Sequence, residues 1–249
     1  MKGRRRRRPF FVKTARRTAL LMAGFALFSA STAYAAMRGY IVTSFDTIRV
    51  EAPVRVVLTT GSGVSGSGEG DRAALDRVNL SVSGGVLNIR MADAPDRGFG
   101  DGDDGKAEAP TLYLSTGQLR RASVLGGAVL TIKGLASLEA DLSMNGNGEM
   151  TVEQADVESL NLYVGGGGTL TISGAARRVR ASVNGPGALE ATGLDVHDAT
   201  IANDGPGTIK MTVHGPAKVV STGSGDTIVG GKPACTITRR GVGAVRCAE

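Results

Sequence analysis

A short glycine arch recurs at intervals of about 20 residues through the C-terminal half of the sequence. Each arch consists of two glycines separated by one residue. The last glycines of successive arches are 20, 19, 20, 18 and 18 residues apart. The arch glycines are Gly146, Gly148, Gly166, Gly168, Gly185, Gly187, Gly205, Gly207, Gly223, Gly225, Gly241 and Gly243. A period of this length is typical of solenoids, in which each repeat forms one coil of a stack.

Mostly apolar residues recur at fixed distances from the last glycine of each arch. Two places after it stand Met150, Leu170, Leu189, Ile209, Thr227 and Val245, and four places after it stand Val152, Ile172, Ala191, Met211, Val229 and Cys247. Six places before it stand Leu142, Leu162, Ala181, Ile201, Val219 and Ile237, and eight places before it stand Ala140, Leu160, Val179, Ala199, Ala217 and Cys235. This period-two alternation predicts strands with one buried face. The sequence therefore predicts an all-β parallel β-helix, or β-solenoid, whose coils each contain a strand, a glycine arch, a second strand and a return loop.

The recurrence also decides how to interpret runs such as Gly223-Ser224-Gly225. A single glycine run between a strand and a helix would suggest a phosphate-binding loop, but six runs at a regular period indicate a structural role. A sharp reversal of the chain favours positive φ, which glycine adopts without steric cost. We therefore predict that the arch glycines have positive φ.

The pattern continues less regularly towards the N-terminus. Two and four places after Gly85 and Gly127 stand further candidates for inward positions, Leu87, Ile89, Val129 and Thr131. Two segments with few apolar residues, at about 59–71 and 92–110, predict flexible insertions. We expect a single domain over residues 36–249.

The first 35 residues have the composition of an export signal. They contain nine basic and no acidic residues, an apolar run over 19–28, and the small-x-small sequence Ala33-Tyr34-Ala35. Because the apolar run is shorter than the roughly 20 residues of a spanning helix, we predict a signal peptide cleaved between Ala35 and Ala36 rather than a retained anchor. The general secretory and twin-arginine routes both stay open. Contact with the membrane is expected through this segment alone.

Removal of this segment changes the sign of the net charge. It takes nine of the 29 basic residues, leaving 20 against 23 acidic residues, a net charge of −3. The basic charge of the precursor is therefore not evidence for a nucleic-acid partner, and none is expected.

The two cysteines occupy inward positions of the last coil, one on each side of its arch. An exported chain with two cysteines is a candidate for one disulfide, and we predict a bond between Cys235 and Cys247. Closing so short a loop contributes about 2 to 3 kcal/mol in the chain-entropy model. Two free buried thiols are the alternative.

Few residues are candidates for chemistry. His197 and His214 lie in return segments without the spacing of metal ligands and are expected at the surface. Asp204 and Asp226 follow one another around successive arches at different offsets, and they are the candidates if the chain cleaves glycosides with paired carboxylates. The sequence indicates no cofactor, no metal site and no catalytic residues.

An acidic run is the one feature that suggests calcium. Asp101, Asp103 and Asp104 supply clustered carboxylates. A calcium loop also needs a third ligand at the next alternate position and a glutamate at a fixed distance after it, and the run has neither. A solvated loop is the favoured interpretation.

The last coils resemble a known family. The segment from Gly223 to Cys247 contains the GSGD turn, a short strand, the first cysteine and the G-x-G-x-x-x-C ending of the head GIN domain of putative auto-transporter adhesins. The resemblance extends over about residues 40–247. It implies a β-helical fold, an envelope or secreted location and adhesion, and it carries over no catalytic residues.

These observations lead to one expected function and one alternative. We expect a non-catalytic, exported, adhesin-like module of the cell envelope that presents the surface of a β-solenoid to a surface glycan or an envelope protein. Its location would be the periplasm, the cell surface or the medium. The alternative is a carbohydrate-processing β-helix enzyme that uses acidic residues on one flank.

Overall fold

Parallel strands stacked in register make up most of the structure. It is a computed structural model that describes residues 36–93 and 109–247, and its coils form a β-solenoid of about six turns. The predicted fold class is confirmed. The strands are β1 Ala36–Gly39, β2 Thr47–Val50, β3 Arg55–Thr60, β4 Ser65–Gly70, β5 Val78–Ser83, β6 Val86–Met91, β7 Thr111–Thr116, β8 Arg121–Gly126, β9 Val129–Ile132, β10 Leu135–Gly146, β11 Glu149–Val164, β12 Thr169–Val183, β13 Ala188–Asn203, β14 Thr208–Val213, β15 Pro216–Ser221, β16 Thr227–Gly230, β17 Ala234–Arg239 and β18 Val245–Cys247. One short helix, α1, spans Arg72–Arg77.

Each regular coil runs from one arch to the next in an almost continuous extended conformation. β11 pairs with β12 in parallel over three segments, 149–152, 155–157 and 159–164, with a register shift between the first two. The return segment, expected from the sequence to be a loop, therefore includes a short strand. We call the first segment the post-arch strand and the last the pre-arch strand of each coil.

The predicted inward columns are confirmed. Every predicted position in the five arch-containing coils that precede the last is buried; among them Met150, Leu170, Leu189 and Ile209 have 0% exposed surface. In the last coil, above which the described residues form no further coil, the equivalent positions are less buried, and Ile237 is 45% exposed. The interior is thus a continuous apolar column that loses its cover at the C-terminal end.

The physical reason for the arch glycines differs from the predicted one. Only Gly146 and Gly185 among the twelve have positive φ, at 142° and 138°. At most of the others the arch lies directly on the backbone of the arch before it: a Cβ on Gly166 would come 2.7 Å from the Gly146 nitrogen, far inside normal contact. Glycine is needed chiefly because successive arches stack backbone on backbone.

The inward positions of the coil after Gly127 were predicted one residue too early. Glu149 pairs with Val129. The residue equivalent to Gly148 in this coil is therefore Ala128 and not Gly127. Leu130 and Ile132 are buried, whereas Val129 and Thr131 face outwards. Because side chains alternate with period two, a slip of one residue exchanges the two faces of the strand.

The N-terminal coils stack in an order that differs from their order in the chain. β2 lies between β6 and β8, and β3 lies between β7 and β9. The outermost coil therefore consists of β6 and β7. Leu87 and Ile89 are buried as predicted, but they belong to the pre-arch column beside β2 and not to the post-arch column of β9.

A separate cap covers this N-terminal end. β5 pairs antiparallel with β6, β4 pairs antiparallel with β7, and β1 pairs with β4, so both edges of the outermost coil are covered. Leu75 of α1 lies beside Gly68 of β4 within this cap and is 1% exposed. A regular strand, β4, thus stands where the sequence predicts a flexible insertion at 59–71.

Some predictions fall outside the described residues. They are the signal peptide at 1–35, the acidic run at 101–104 and most of the predicted insertion at 92–110. Among the described residues there is no helix long and apolar enough to cross a membrane.

The C-terminal end carries a disulfide. Cys235 of β17 and Cys247 of β18 are bonded, with an S–S distance of 1.99 Å and a Cα–Cα distance of 6.7 Å. The bond joins the pre-arch and post-arch strands of the last coil across the interior.

Candidate functional site

Three neighbouring grooves lie on one flank of the solenoid, along the return segments and the pre-arch strands. Their volumes are about 450, 830 and 400 Å³. The first and third grooves share Glu139, and the second and third share Gln118, Ser137 and Leu138. We call this surface, which extends from β10 to β15 with Gln118, Arg120 and Arg121 at its edge, the grooved flank.

Strand alternation determines which residues line the grooves. In the pre-arch strand of β11, Leu160, Leu162 and Val164 point into the core, so the residues between them point outwards. Parallel pairing then sets the same outward position of each coil beside the next. One such column consists of Asp141, Asn161, Arg180, Thr200 and Lys218, at intervals of about 4.8 Å.

The first groove brings together three basic side chains. Arg178, Arg180 and Lys218 line it together with the acidic residues Glu139 and Asp198. Within the described part of the chain, Arg180 and Lys218 form no ion pair, whereas Arg178 lies 3.3 Å from a carboxylate oxygen of Glu158. Two cationic groups in this groove are therefore not neutralised by a direct contact with a described residue.

The second groove holds more acidic side chains than the first, and the third holds as many acidic as basic ones. Asp156, Glu158 and Asp195 line the second, with Arg177 and His197. In the third, Arg121 lies 3.1 Å from Asp141. The grooved flank as a whole offers both hydrogen-bond donors and acceptors and has a nearly balanced charge.

The polar contacts on this flank are weak enough to be exchanged for a ligand. Asp141 accepts a 2.7 Å hydrogen bond from Asn161 Nδ2, and Glu158 also lies 3.7 Å from Arg177. Ion pairs between such exposed side chains contribute at most about 1 kcal/mol. The rigid element is the stacked backbone, which fixes the spacing of the outward columns.

The two aspartates of the alternative enzymatic function make structural contacts. Asp204 accepts a 2.6 Å hydrogen bond from the Thr222 hydroxyl, and Asp226 accepts a 3.0 Å bond from the Ala244 backbone nitrogen. Each contact joins one arch to the next coil. Neither residue lines any of the three grooves.

The histidines lie at the surface, as expected. His197 is 68% exposed and its Nδ1 lies 2.8 Å from Asp198, and His214 lies 3.3 Å from Asp195. In the described residues, no three side chains of the types that bind metals converge on one point.

The grooved flank could not be found from the sequence, because alternation identifies outward residues without showing where the surface is concave. The available signal is a cluster of charges in and before the pre-arch strands, such as Arg177, Arg178 and Arg180. It becomes a groove only because neighbouring coils present smaller outward residues, Ser159 and Thr200, in the same columns.

Comparison with known proteins identifies the family. The model of the putative auto-transporter adhesin, head GIN domain, matches residues 44–233. The chain belongs to this family. The predicted resemblance is thereby confirmed over residues 44–233, and the match includes both the capped N-terminal coils and the grooved flank. No curated protein sequence matches the chain.

Solved structures share the fold of this head GIN domain. A putative adhesin from Bacteroides fragilis has 18% identity and a TM-score of 0.78, covering 87% of this chain and 98% of its own. A putative adhesin from Parabacteroides distasonis has 17% identity and a TM-score of 0.68, covering 86% and 97%. A putative lipid binding protein from the same organism has 15% identity and a TM-score of 0.64, covering 88% and 98%. At these identities the likeness concerns the fold.

Proposed function

We propose that this head GIN domain is an exported, adhesin-like binding module of the cell envelope and that its grooved flank binds a glycan. The description of the family and the names of two structural neighbours support the adhesin-like role. The features of residues 1–35 support export. The observation that carries the choice of surface is the set of three adjoining grooves with shared lining residues.

The chemistry of the flank suits a glycan because sugar hydroxyl groups both donate and accept hydrogen bonds. Carboxylates such as Glu139 and Asp198 would accept from them, and guanidinium groups such as Arg178 and Arg180 would donate to them. From β10 to β15 the flank crosses four inter-strand spacings, about 19 Å, which gives an extended oligosaccharide several successive contacts.

The test is binding of the mature, oxidised chain (36–249) to a glycan array, followed by calorimetry with each hit. The variant R180A/K218A removes two groove cations that form no ion pair within the described residues, so the fold is expected to stay intact. We expect at least about a tenfold loss of affinity, since a hydrogen bond to a charged group contributes about 1.5 to 3 kcal/mol. The matched control is R55A, an exposed arginine on the post-arch side.

Three results would change this proposal. Equal effects of R180A/K218A and R55A would remove the grooved flank as the binding surface. Binding of an envelope protein but of no glycan, with the same sensitivity to R180A/K218A, would assign the flank to a protein partner. Release of reducing ends would revive the enzymatic alternative and direct substitutions to Asp204 and Asp226.

A further inference from the structure

The two ends of the solenoid differ in how they are finished. At the N-terminal end β4 and β5 cover both edges of the outermost coil. At the C-terminal end, among the described residues, β17 pairs only with β15 and β18 only with β16. Unpaired edges of this kind accept further strands, and most proteins cover or charge them.

The open end also exposes the interior of the stack. Ile237 is 45% exposed, whereas Val219, its equivalent in the preceding coil, is 0% exposed. On the post-arch strand Val245 is only half-buried, whereas Thr227, its equivalent in the preceding coil, is 0% exposed. Solenoids normally finish with a polar capping repeat, so this apolar surface marks a place where further chain can pack.

The direction of the backbone groups in β17 can be read from its bonds to the preceding coil. The Ala234 nitrogen donates to the Gly215 carbonyl and the Arg240 nitrogen donates to the Ser221 carbonyl. Because backbone groups alternate along a strand, the N–H and C=O groups of Cys235, Ile237 and Arg239 point away from the stack. They form a row of donors and acceptors ready for one more strand.

The positive charge of the last coil favours an acidic binding partner over a second copy of the chain. Between 232 and 247 there are four basic residues, all exposed, and no acidic residue: Lys232, Arg239, Arg240 and Arg246. Two copies joined edge to edge at these ends would bring eight positive charges together, which opposes a symmetric dimer. An acidic strand would instead complement the coil.

We propose that the open C-terminal end binds an acidic peptide in extended conformation, which adds to β17 as one more strand. Its backbone pairs with the free groups of Cys235, Ile237 and Arg239. Its apolar side chains cover Ile237 and Val245, and its carboxylates face the arginines of the last coil. This is recognition by strand addition, with backbone bonds providing affinity and alternate side chains providing specificity. The surface is separate from the grooved flank.

The test uses a fluorescein-labelled heptapeptide of alternating glutamate and valine, Glu-Val-Glu-Val-Glu-Val-Glu, and fluorescence anisotropy with the mature, oxidised chain. We expect saturable binding that weakens with added salt. The same peptide with proline in place of its central valine, and a version with lysine in place of every glutamate, are expected not to bind, because they remove strand pairing and charge complementarity respectively.

Two variants separate the backbone contribution from the charge contribution. I237P removes an N–H that points to the open edge and leaves the bonds to β15 in place, and we expect at least about a tenfold loss of affinity. R239E/R240E/R246E should abolish binding of the glutamate peptide and create binding of the lysine peptide. Glycan binding through the grooved flank should be unchanged in both, and circular dichroism checks that both variants fold.

Failure of the glutamate peptide to bind, or equal binding of the proline-containing peptide, would overturn the proposal. So would wild-type affinity in I237P when circular dichroism shows it folded. Sedimentation velocity tests the competing occupant: self-association of the wild-type chain that I237P abolishes would assign the edge to a second copy and would overturn the choice of an acidic peptide.

Discussion

Substitution of one arch glycine, Gly225→Ala, tests why the arches contain glycine. The ideal Cβ of this residue would lie 2.7 Å from the carbonyl carbons of Pro206 and Gly207, and closer still to the Gly207 oxygen. The neighbouring atoms are all backbone, so no side chain can rotate away. The arch is also held by the 3.0 Å bond from the Gly225 nitrogen to the Gly205 carbonyl.

The expected cost follows from these contacts. Overpacking of a well-packed site costs about 1 to 3 kcal/mol, and a clash with backbone on a hydrogen-bonded ladder lies at or above the top of that range. We expect a loss of at least about 3 kcal/mol, which for a domain of this size lowers the midpoint of thermal unfolding by about 6 to 12 °C. Chemical denaturation and scanning calorimetry of the mature, oxidised chain measure both quantities.

The control is Gly127→Ala in the turn between β8 and β9, at the position equivalent to Asn147, the middle residue of the next arch. A Cβ there would meet nothing within 4 Å, and the φ of Gly127 is not positive. We expect no loss, and a gain of up to about 1 kcal/mol from reduced entropy of the unfolded chain. If Gly225→Ala costs less than about 1 kcal/mol, or if the two variants are equally stable, close stacking of the arches is not the reason for the glycines.

The remaining predictions concern a buried polar pair and a surface ion pair. Asn203 and Ser221 are both 0% exposed. The Asn203 amide nitrogen donates a 3.0 Å hydrogen bond to the Gly207 carbonyl, whereas the Asn203 Oδ1 and the Ser221 hydroxyl have no partner among the described residues. Denaturant unfolding should therefore give a loss of about 1 to 2 kcal/mol for Asn203→Ala, which leaves the Gly207 carbonyl newly unpaired but also removes an unpaired oxygen, and no loss for Ser221→Ala; equal losses would contradict this assignment. The hydrogen bond from Arg90, with the nearby charge of that arginine and of Arg49, lowers the pKa of Glu51, so its contribution is present above the unfolded pKa of about 4.3 and is lost as the pH falls through the lower folded value. Glu51→Gln should cost about 0.5 to 1 kcal/mol at pH 7 and progressively less as the pH falls below about 4.3, and a cost that does not shrink with falling pH would refute the assignment.

The parts of the fold that could be predicted are those governed by local periodicity. Residues such as Leu170 and Ile172 fall at the same distance from a glycine arch in every coil, and alternation alone places them inside. The order of the N-terminal coils could not be predicted in this way. The strands β2 and β6 have the same alternation of apolar and polar residues, and no feature of the local sequence indicates which of them is outermost. The one-residue error at Val129 arose because Ala128 takes the place of an arch glycine.

The candidate site was harder to predict than the fold for a related reason. Binary patterning distinguishes inward from outward, and it correctly places Arg178 and Arg180 outside. Whether an outward row forms a groove depends on the sizes of side chains in the neighbouring coils, and these come together only through the register of the stack. The disulfide was predictable because both cysteines occupy inward columns of the same coil.

The two candidate surfaces depend on the stack in different ways. The grooved flank is made of outward columns that cross five coils, so its geometry relies on the register that the arches hold between every pair of neighbours. The open end is made by one coil, and its free edge exists because nothing in the described chain continues the stack beyond β17 and β18. A disturbed arch in the middle of the stack, such as that of Gly187, should therefore change the spacing of the grooves while leaving the last coil intact. Binding at the two surfaces is thus separable by substitution, because each coil contacts only its neighbours.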